Sequence, residues 1–291
     1  MSKTKKITPK KQVSKDTFLS KFDFGKYIPL KYQTILAIVI SILFVIIFFN
    51  HMFFNGKTFQ SGDIITIKSM QPYLTKDRDS FSLWNPLVFC GMPAYAFGSS
   101  LKWFNLLDLS TSLIRKFLFS PFADDYIQWT LYLIVLAITS FILMKSISKN
   151  NLISLFTSVA TTFTTGYVAF LYIGHVTKLT SLAWLPLIFL LLLKFNEKIR
   201  FINFLALIIK LQLFIQGFHV QIIFYTLFAV AIYFIFYFIR ALVKKDITLR
   251  KNLIKSAVVF VVSSLIAVAI SSDNLTQIYE YSPYSTRGTK S

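Results

Sequence analysis

Few side chains in this sequence are equipped for chemistry, and they stand apart from its long apolar runs. Asp63 follows Gly62 in SGDIITIK, shortly after the first apolar run. A carboxylate held there, partly screened from water, can accept a proton from a hydroxyl. The same Gly-Asp pair also suits a turn that merely opens a loop. Three histidines, His51, His175 and His219, each fall near the end of an apolar run. In GHVTK, helical spacing puts His175 near Lys178, and an imidazole with an ammonium can hold a phosphate. Lys178 can equally snorkel to the membrane interface. His219, in IQGFHVQ, occupies a very tight hairpin from which it can approach the same place or serve as a hydrogen-bonded structural residue. Arg287, in YSPYSTRG, offers a guanidinium suited to bidentate anion binding or to a plain surface charge.

The aromatic stretch SLWNPLVFCGMPAYAFGS places Trp84 and Asn85 before Pro86, and Gly91 shortly before Pro93. WNP and GMP read as turn architecture with Trp at headgroup level, or as a wall on which a sugar ring stacks. Asp77 and Asp79 flank Arg78 as a solvated charge run, and Asp124 and Asp125 suit a helix N-terminus. The scattered histidines have no HExxH-like spacing, so no metal site and no cofactor is expected. Cys90 stands alone, which excludes an internal disulfide. Lys210, inside an apolar run, is costly in lipid and is expected to face the bundle interior, near Gln212 or Gln216.

These residues must be positioned by membrane-spanning helices. Of the 291 residues, 55% are hydrophobic, 17% aromatic and only 15% charged, with a mean hydropathy of +0.62. A soluble domain carries about 25% charged residues. Seven apolar segments approach the roughly 20 residues a bilayer requires: residues 32–54, 126–147, 152–173, 179–195, 201–217, 220–243 and 253–271. The expected fold is an all-α integral membrane protein of about seven transmembrane helices. No cleavable signal peptide is expected, because the basic start is long and the first apolar run is full length.

The formal charge of +19 is distributed in a way that argues against nucleic acid. Nine lysines lie between Lys3 and Lys31, and the other basic clusters sit in short connections between apolar runs. With a cytoplasmic N-terminus, the inner segments, counted with Lys145, Lys194 and Arg240 at the adjoining span ends, hold 19 basic and 4 acidic residues and the outer ones 10 and 8, as the positive-inside rule requires. The N-terminal arm can also touch anionic headgroups. The division is then a basic cytoplasmic arm (1–31), a first transmembrane helix (32–54), an extracytoplasmic cap loop (55–125), a six-helix transmembrane region (126–271) and an extracytoplasmic end (272–291). The cap is too long and too aromatic for a plain linker, and residues 99–119 have the spacing of interfacial amphipathic helices. The polar ending leads us to expect the front part of a longer protein or a shorter homologue of one.

This order of features resembles the bacterial YfhO family of membrane proteins: a basic start, one span, a long loop opening with GD, then WNP and GMP, GHVTK leading into SLAWLPL, and YSPYSTRG. The likeness covers about residues 30–291 and lies in the combination, since each motif is short. It implies a GT-C-class membrane glycosyltransferase that takes a sugar from a polyprenyl-phosphate donor and transfers it to a cell-envelope glycan or lipid acceptor, inverting the anomeric carbon. Asp63 then stands at the family's early acidic position as general base. His175, Lys178, Arg287, Trp84, Asn85 and His219 would bind substrate. The second acidic motif of many GT-C enzymes has no obvious counterpart here. The implied setting is the bacterial inner membrane, multi-pass, with membrane lipids around it. A lipid-linked saccharide flippase or a non-catalytic scaffold of an envelope-modifying complex are the alternatives.

Overall fold

Long runs of Leu, Ile, Phe and Val satisfy their backbone polar groups within helices, the only open-ended way to do so in hydrocarbon. The structure, a computed structural model, describes residues 28–59, 61–62, 64–66, 69, 84–87, 90–93, 125–217 and 219–284. Most of the basic arm, most of the cap loop (its expected helices at 99–119 included), and residues 285–291 lie outside these.

The helices are α1 (Leu30–Phe48), α2 (Asn50–Phe54), α3 (Asp125–Ser148), α4 (Asn151–Thr162), α5 (Thr165–Ile173), α6 (Val176–Glu197), α7 (Phe201–Gln216), α8 (Val220–Val243), α9 (Ile247–Ile270) and α10 (Ser272–Tyr281). Five helical stretches are long and apolar enough to cross a membrane: Trp129–Ser148, Asn151–Ile173, Thr177–Glu197, Val220–Val243 and Ile247–Ile270. They define a multi-pass α-helical membrane protein. Two further apolar helices, Tyr32–Phe48 and Phe201–Ile215, are shorter.

Several boundaries differ from the sequence expectation for identifiable reasons. The segment 32–54 is interrupted at Phe49 (φ −98°, ψ 25°), which separates α1 from α2. The segment 152–173 is interrupted at Phe163 and Thr164. The last long helix begins at Ile247, six residues before the apolar run, because the Asp246 side chain caps it by accepting from Leu249 N at 2.9 Å. Residues 272–281, expected only as a polar end, form α10.

Tight hairpins order the bundle. Lys149 (φ 58°) and Lys245 (φ 54°) take left-handed backbone at the turns before α4 and α9. Each is followed by an Asx N-cap, Asn150 for Leu152 and Ile153 N–H, and Asp246. These turns, with the 198–200 connection, form a basic end carrying Lys145, Lys149, Lys194, Lys198, Arg200, Lys244 and Lys245. His51, His175 and His219 fall at the opposite helix ends, the histidine end.

α6 is the central helix. Within its span 56% is buried inside the chain, against 11% for α8, and it contacts α3, α5, α7, α8 and α9. One core cluster joins Val45, Phe49, Met52, Ile64, Leu133, Leu171 and Leu179 near the histidine end. The other joins Ile188, Leu192, Phe195, Leu207, Phe214, Phe260 and Ala267. Small hydroxyl residues tie backbones closely, as is common between membrane helices. Ser158 of α4 contacts Ser41 of α1 at 3.2 Å and Ala137 O of α3 at 2.7 Å. Thr139 donates to Ala183 O at 2.9 Å, on the turn of α6 that Pro186 loosens by lacking an N–H.

Candidate functional site

Three chain segments meet at the histidine end, and two glycines set how closely. The first is Gly174. It ends α5 in left-handed backbone (φ 91°), with His175 N–H donating to Phe170 O at 2.8 Å and Gly174 N–H to Leu171 O at 3.3 Å. This is the paired-bond helix ending that glycine favours. A Cβ on Gly174 would stand 2.6 Å from both Ser61 Oγ and Ile64 Cγ1. Ser61 and Ile64 are therefore seated on the turn that carries His175. Ile64 is buried in the adjoining core, and Ile65 N–H donates to Ser61 O at 3.0 Å.

The second is Gly217. A Cβ there would collide with Ser181 Oγ and lie 2.8 Å from Ser181 N and 2.9 Å from Thr177 O. Ser181 also donates to Phe214 O at 3.0 Å. The end of α7 is thereby pressed against the first turns of α6, and His219 lies near enough to Lys178 and His175 to feel their charge. His219 precedes α8.

The electrostatics reflect this meeting. His219 is held below the ordinary histidine range, first by burial, then by the nearby charges of Lys178 and His175; a backbone hydrogen bond opposes them. Its Nδ1 is buried and has no hydrogen-bond partner among the described residues. The Lys178 ammonium lies 4.6 Å from the centroid of the Phe170 ring, and the His175 ring meets the same phenyl edge-on at 6.4 Å. Phe170 thus backs both groups. An ammonium and an imidazole sharing one aromatic backing, with a second imidazole near enough to feel their charge, is chemistry suited to an anion.

His175, Lys178 and His219 are thus brought together from α6 and the turn before α8. Trp84 and Asn85 lie elsewhere in the chain, in a two-residue antiparallel ribbon with Trp84 opposite Pro93 and Asn85 opposite Met92. Gly91 (φ 118°) comes so close to the Trp84 indole that a Cβ would lie 2.5 Å from its Cζ2, so WNP and GMP form one local unit. Asp63 and Arg287 lie outside the described residues. Among the described residues no group of histidine, cysteine or carboxylate side chains is arranged to hold a metal.

Sequence reasoning missed Gly174, Gly217 and Ser181, which set the spacing. The one available signal was a lone glycine in each turn, GHVTK and QGFH. It also missed the partner of Lys210, whose ammonium lies 4.2 Å from the centroid of the Trp184 ring, a contact that shields a cation inside a bundle. No family model, curated protein or solved structure matches the chain.

Proposed function

We propose that this membrane protein is a GT-C-class glycosyltransferase of the YfhO type, transferring a sugar from a polyprenyl phosphate to an envelope glycan or lipid acceptor. The single observation that carries this reading is the meeting of Ser61 and Ile64 with the 174–178 turn, and of Gly217 and His219 with the start of α6. Ser61 and Ile64, which bracket Asp63 in sequence, rest on the turn that bears His175. The cations His175 and Lys178 thus stand beside the chain segment that carries Asp63 in sequence, at the membrane boundary where the reactive carbon of a lipid-linked sugar lies.

In this reading Asp63 removes the proton from the acceptor hydroxyl, and the acceptor oxygen attacks the anomeric carbon from the face opposite the phosphate. The carbon–oxygen bond to phosphate breaks, and the departing polyprenyl phosphate takes the electron pair. Lys178 and His175, with Arg287, stabilise its charge. His219, neutral near pH 7, gains a proton more readily once an anion offsets its cationic neighbours. Trp84 and Asn85 contribute to sugar binding. The histidine end is extracytoplasmic and the basic end cytoplasmic, in the bacterial inner membrane, and the two shorter apolar helices also cross, giving seven spans.

The test is transfer from a labelled polyprenyl-phosphate sugar by the full chain in proteoliposomes. A general base contributes ~10²–10⁴-fold, so Asp63→Asn is expected to lower turnover by about 100-fold or more with the fold intact. Unchanged turnover in a folded D63N protein overturns the assignment of the base. A lipid-linked saccharide flippase is the second reading, favoured by the helix interruptions at Phe49 and Phe163–Thr164. It would move the labelled lipid across the bilayer with no new glycosidic bond.

A further inference from the structure

A groove of about 720 Å³ opens on the flank of the bundle at the histidine end, in a region separate from the Lys178 cluster. It exists because two helices break beside each other. α1 gives way to α2 at Phe49 and α4 to α5 at Phe163–Thr164, and Phe48 meets Phe163 edge-on at 5.1 Å. The apolar walls are Phe48 and Phe163 at the breaks, and Val168 and Tyr172 of α5 between the break and the histidine end. Phe48 and Tyr172 are mostly exposed, at 58% and 63%, so in a membrane the groove faces acyl chains. Interrupted helices at membrane depth are tolerated where they line a cavity.

The rim is different in kind. Lys57, Thr58 and His51 border the groove, and among the described residues no carboxylate lines it. The backbone fixes them there: Asn55 and Lys57 N–H both donate to His51 O, at 3.3 and 3.1 Å. Left-handed Gly56 (φ 58°) makes the turn between them. Phe59 then anchors the segment to α5 through an edge contact with Tyr172 at 5.5 Å. Asn55 Nδ2 donates to His51 Nδ1 at 2.8 Å, which leaves the neutral ring with its proton on Nε2 as a donor. The volume falls within the roughly 300–1,000 Å³ of ligand sites, and the layout matches an amphiphile with apolar chains and a negative head.

We infer that this groove is a binding site for one anionic phospholipid of the surrounding bilayer. Its acyl chain lies along Phe48, Phe163 and Tyr172, and its phosphate sits at Lys57 and His51. The inference is independent of sugar transfer and needs only that the bundle sits in a membrane. Binding at this rim ties the loop leaving α2 to α5, and so supports the segment that continues to Ser61.

The experiment is native mass spectrometry of the full chain, purified and delipidated in detergent and titrated with phosphatidylglycerol or phosphatidylcholine of identical chains. Phosphatidylglycerol is expected to bind one equivalent about tenfold more tightly than phosphatidylcholine, in keeping with the attraction of a basic residue for an anionic headgroup. Lys57→Glu, at an exposed position, is expected to erase that preference. Ala169→Trp, which fills the groove floor, is expected to remove the tight equivalent of either lipid. Equal affinity of the wild-type chain for the two lipids overturns the inference. So does an undiminished preference in K57E, whose integrity is checked by its melting temperature. Displacement of phosphatidylglycerol by substoichiometric undecaprenyl phosphate reassigns the groove to the sugar carrier and overturns it as well. None of these outcomes depends on turnover, so failure here leaves the transferase proposal standing, and the reverse also holds.

Discussion

His219 shows how much one side chain can report about its surroundings. Burial, Lys178 and His175 together hold its ring neutral in the folded protein below the usual histidine pKa. The unfolded chain therefore takes up this proton first, at about pH 6.5. Stability from the neutral ring is present above that value and is lost as pH falls toward the lower folded pKa. Melting temperature in detergent is expected to fall from pH 7.5 to 5.5, with a shallower fall in His219→Gln. Equal slopes for the two proteins would mean that burial and the charges of Lys178 and His175 do not hold the ring below its ordinary range. The close approach of these segments depends on Gly174 and Gly217, where any side chain meets Ser61, Ile64 or Ser181.

At the scale of elements, polar residues inside the bundle divide into those that bind helices together and those left alone. Ser158, Thr139 and Ser181 each donate to a carbonyl of a neighbouring helix. Asn252 of α9 donates to Asn196 O of α6 at 3.0 Å. Gln212 of α7 differs. It is fully buried, and neither amide atom has a hydrogen-bond partner among the described residues. A buried amide without a partner costs about 1–3 kcal/mol. Replacing it with leucine, which has similar reach and no polar atoms, is expected to stabilise the protein by ~1 kcal/mol. That should appear as a melting temperature a few degrees higher in a detergent thermal scan. A lower melting temperature in Gln212→Leu would mean that the amide is held by a group such as an internal water. The adjacent Lys210 is a separate case, because Trp184 covers its ammonium.

At the scale of the whole molecule, the proposed orientation makes the basic end cytoplasmic. Single cysteines at Lys149 or Lys245, in a chain whose Cys90 is replaced by serine, are expected to resist a membrane-impermeant maleimide added to intact cells. A cysteine at Thr58 or Tyr279, both on the histidine side of the bundle, is expected to react. The reverse pattern would invert the topology and remove the extracytoplasmic site from the proposal. The count of spans is tested by the same series: labelling on opposite sides at residues 199 and 219 requires α7 to cross. At ~1.5 Å per residue, its 16 residues reach about 24 Å, short of a ~30 Å core. Crossing then needs local thinning of the bilayer.

By itself the sequence determined that the chain is helical and crosses a membrane more than once, because apolar length and sparse charge are local properties that hydrocarbon reads directly. It also marked His175, Lys178 and His219 through their place beside apolar runs. Only the tertiary structure decided that these three share a neighbourhood, since the α7–α8 turn meets α6 through Gly217, whose partners Ser181 and Thr177 are distant in sequence. The breaks at Phe49 and Phe163 were equally hidden. Phe49 precedes Asn50 and His51, and Phe163 stands among Thr161, Thr162, Thr164 and Thr165, polar residues that a membrane helix also tolerates; what makes the breaks matter is the groove that appears when two interrupted helices stand side by side.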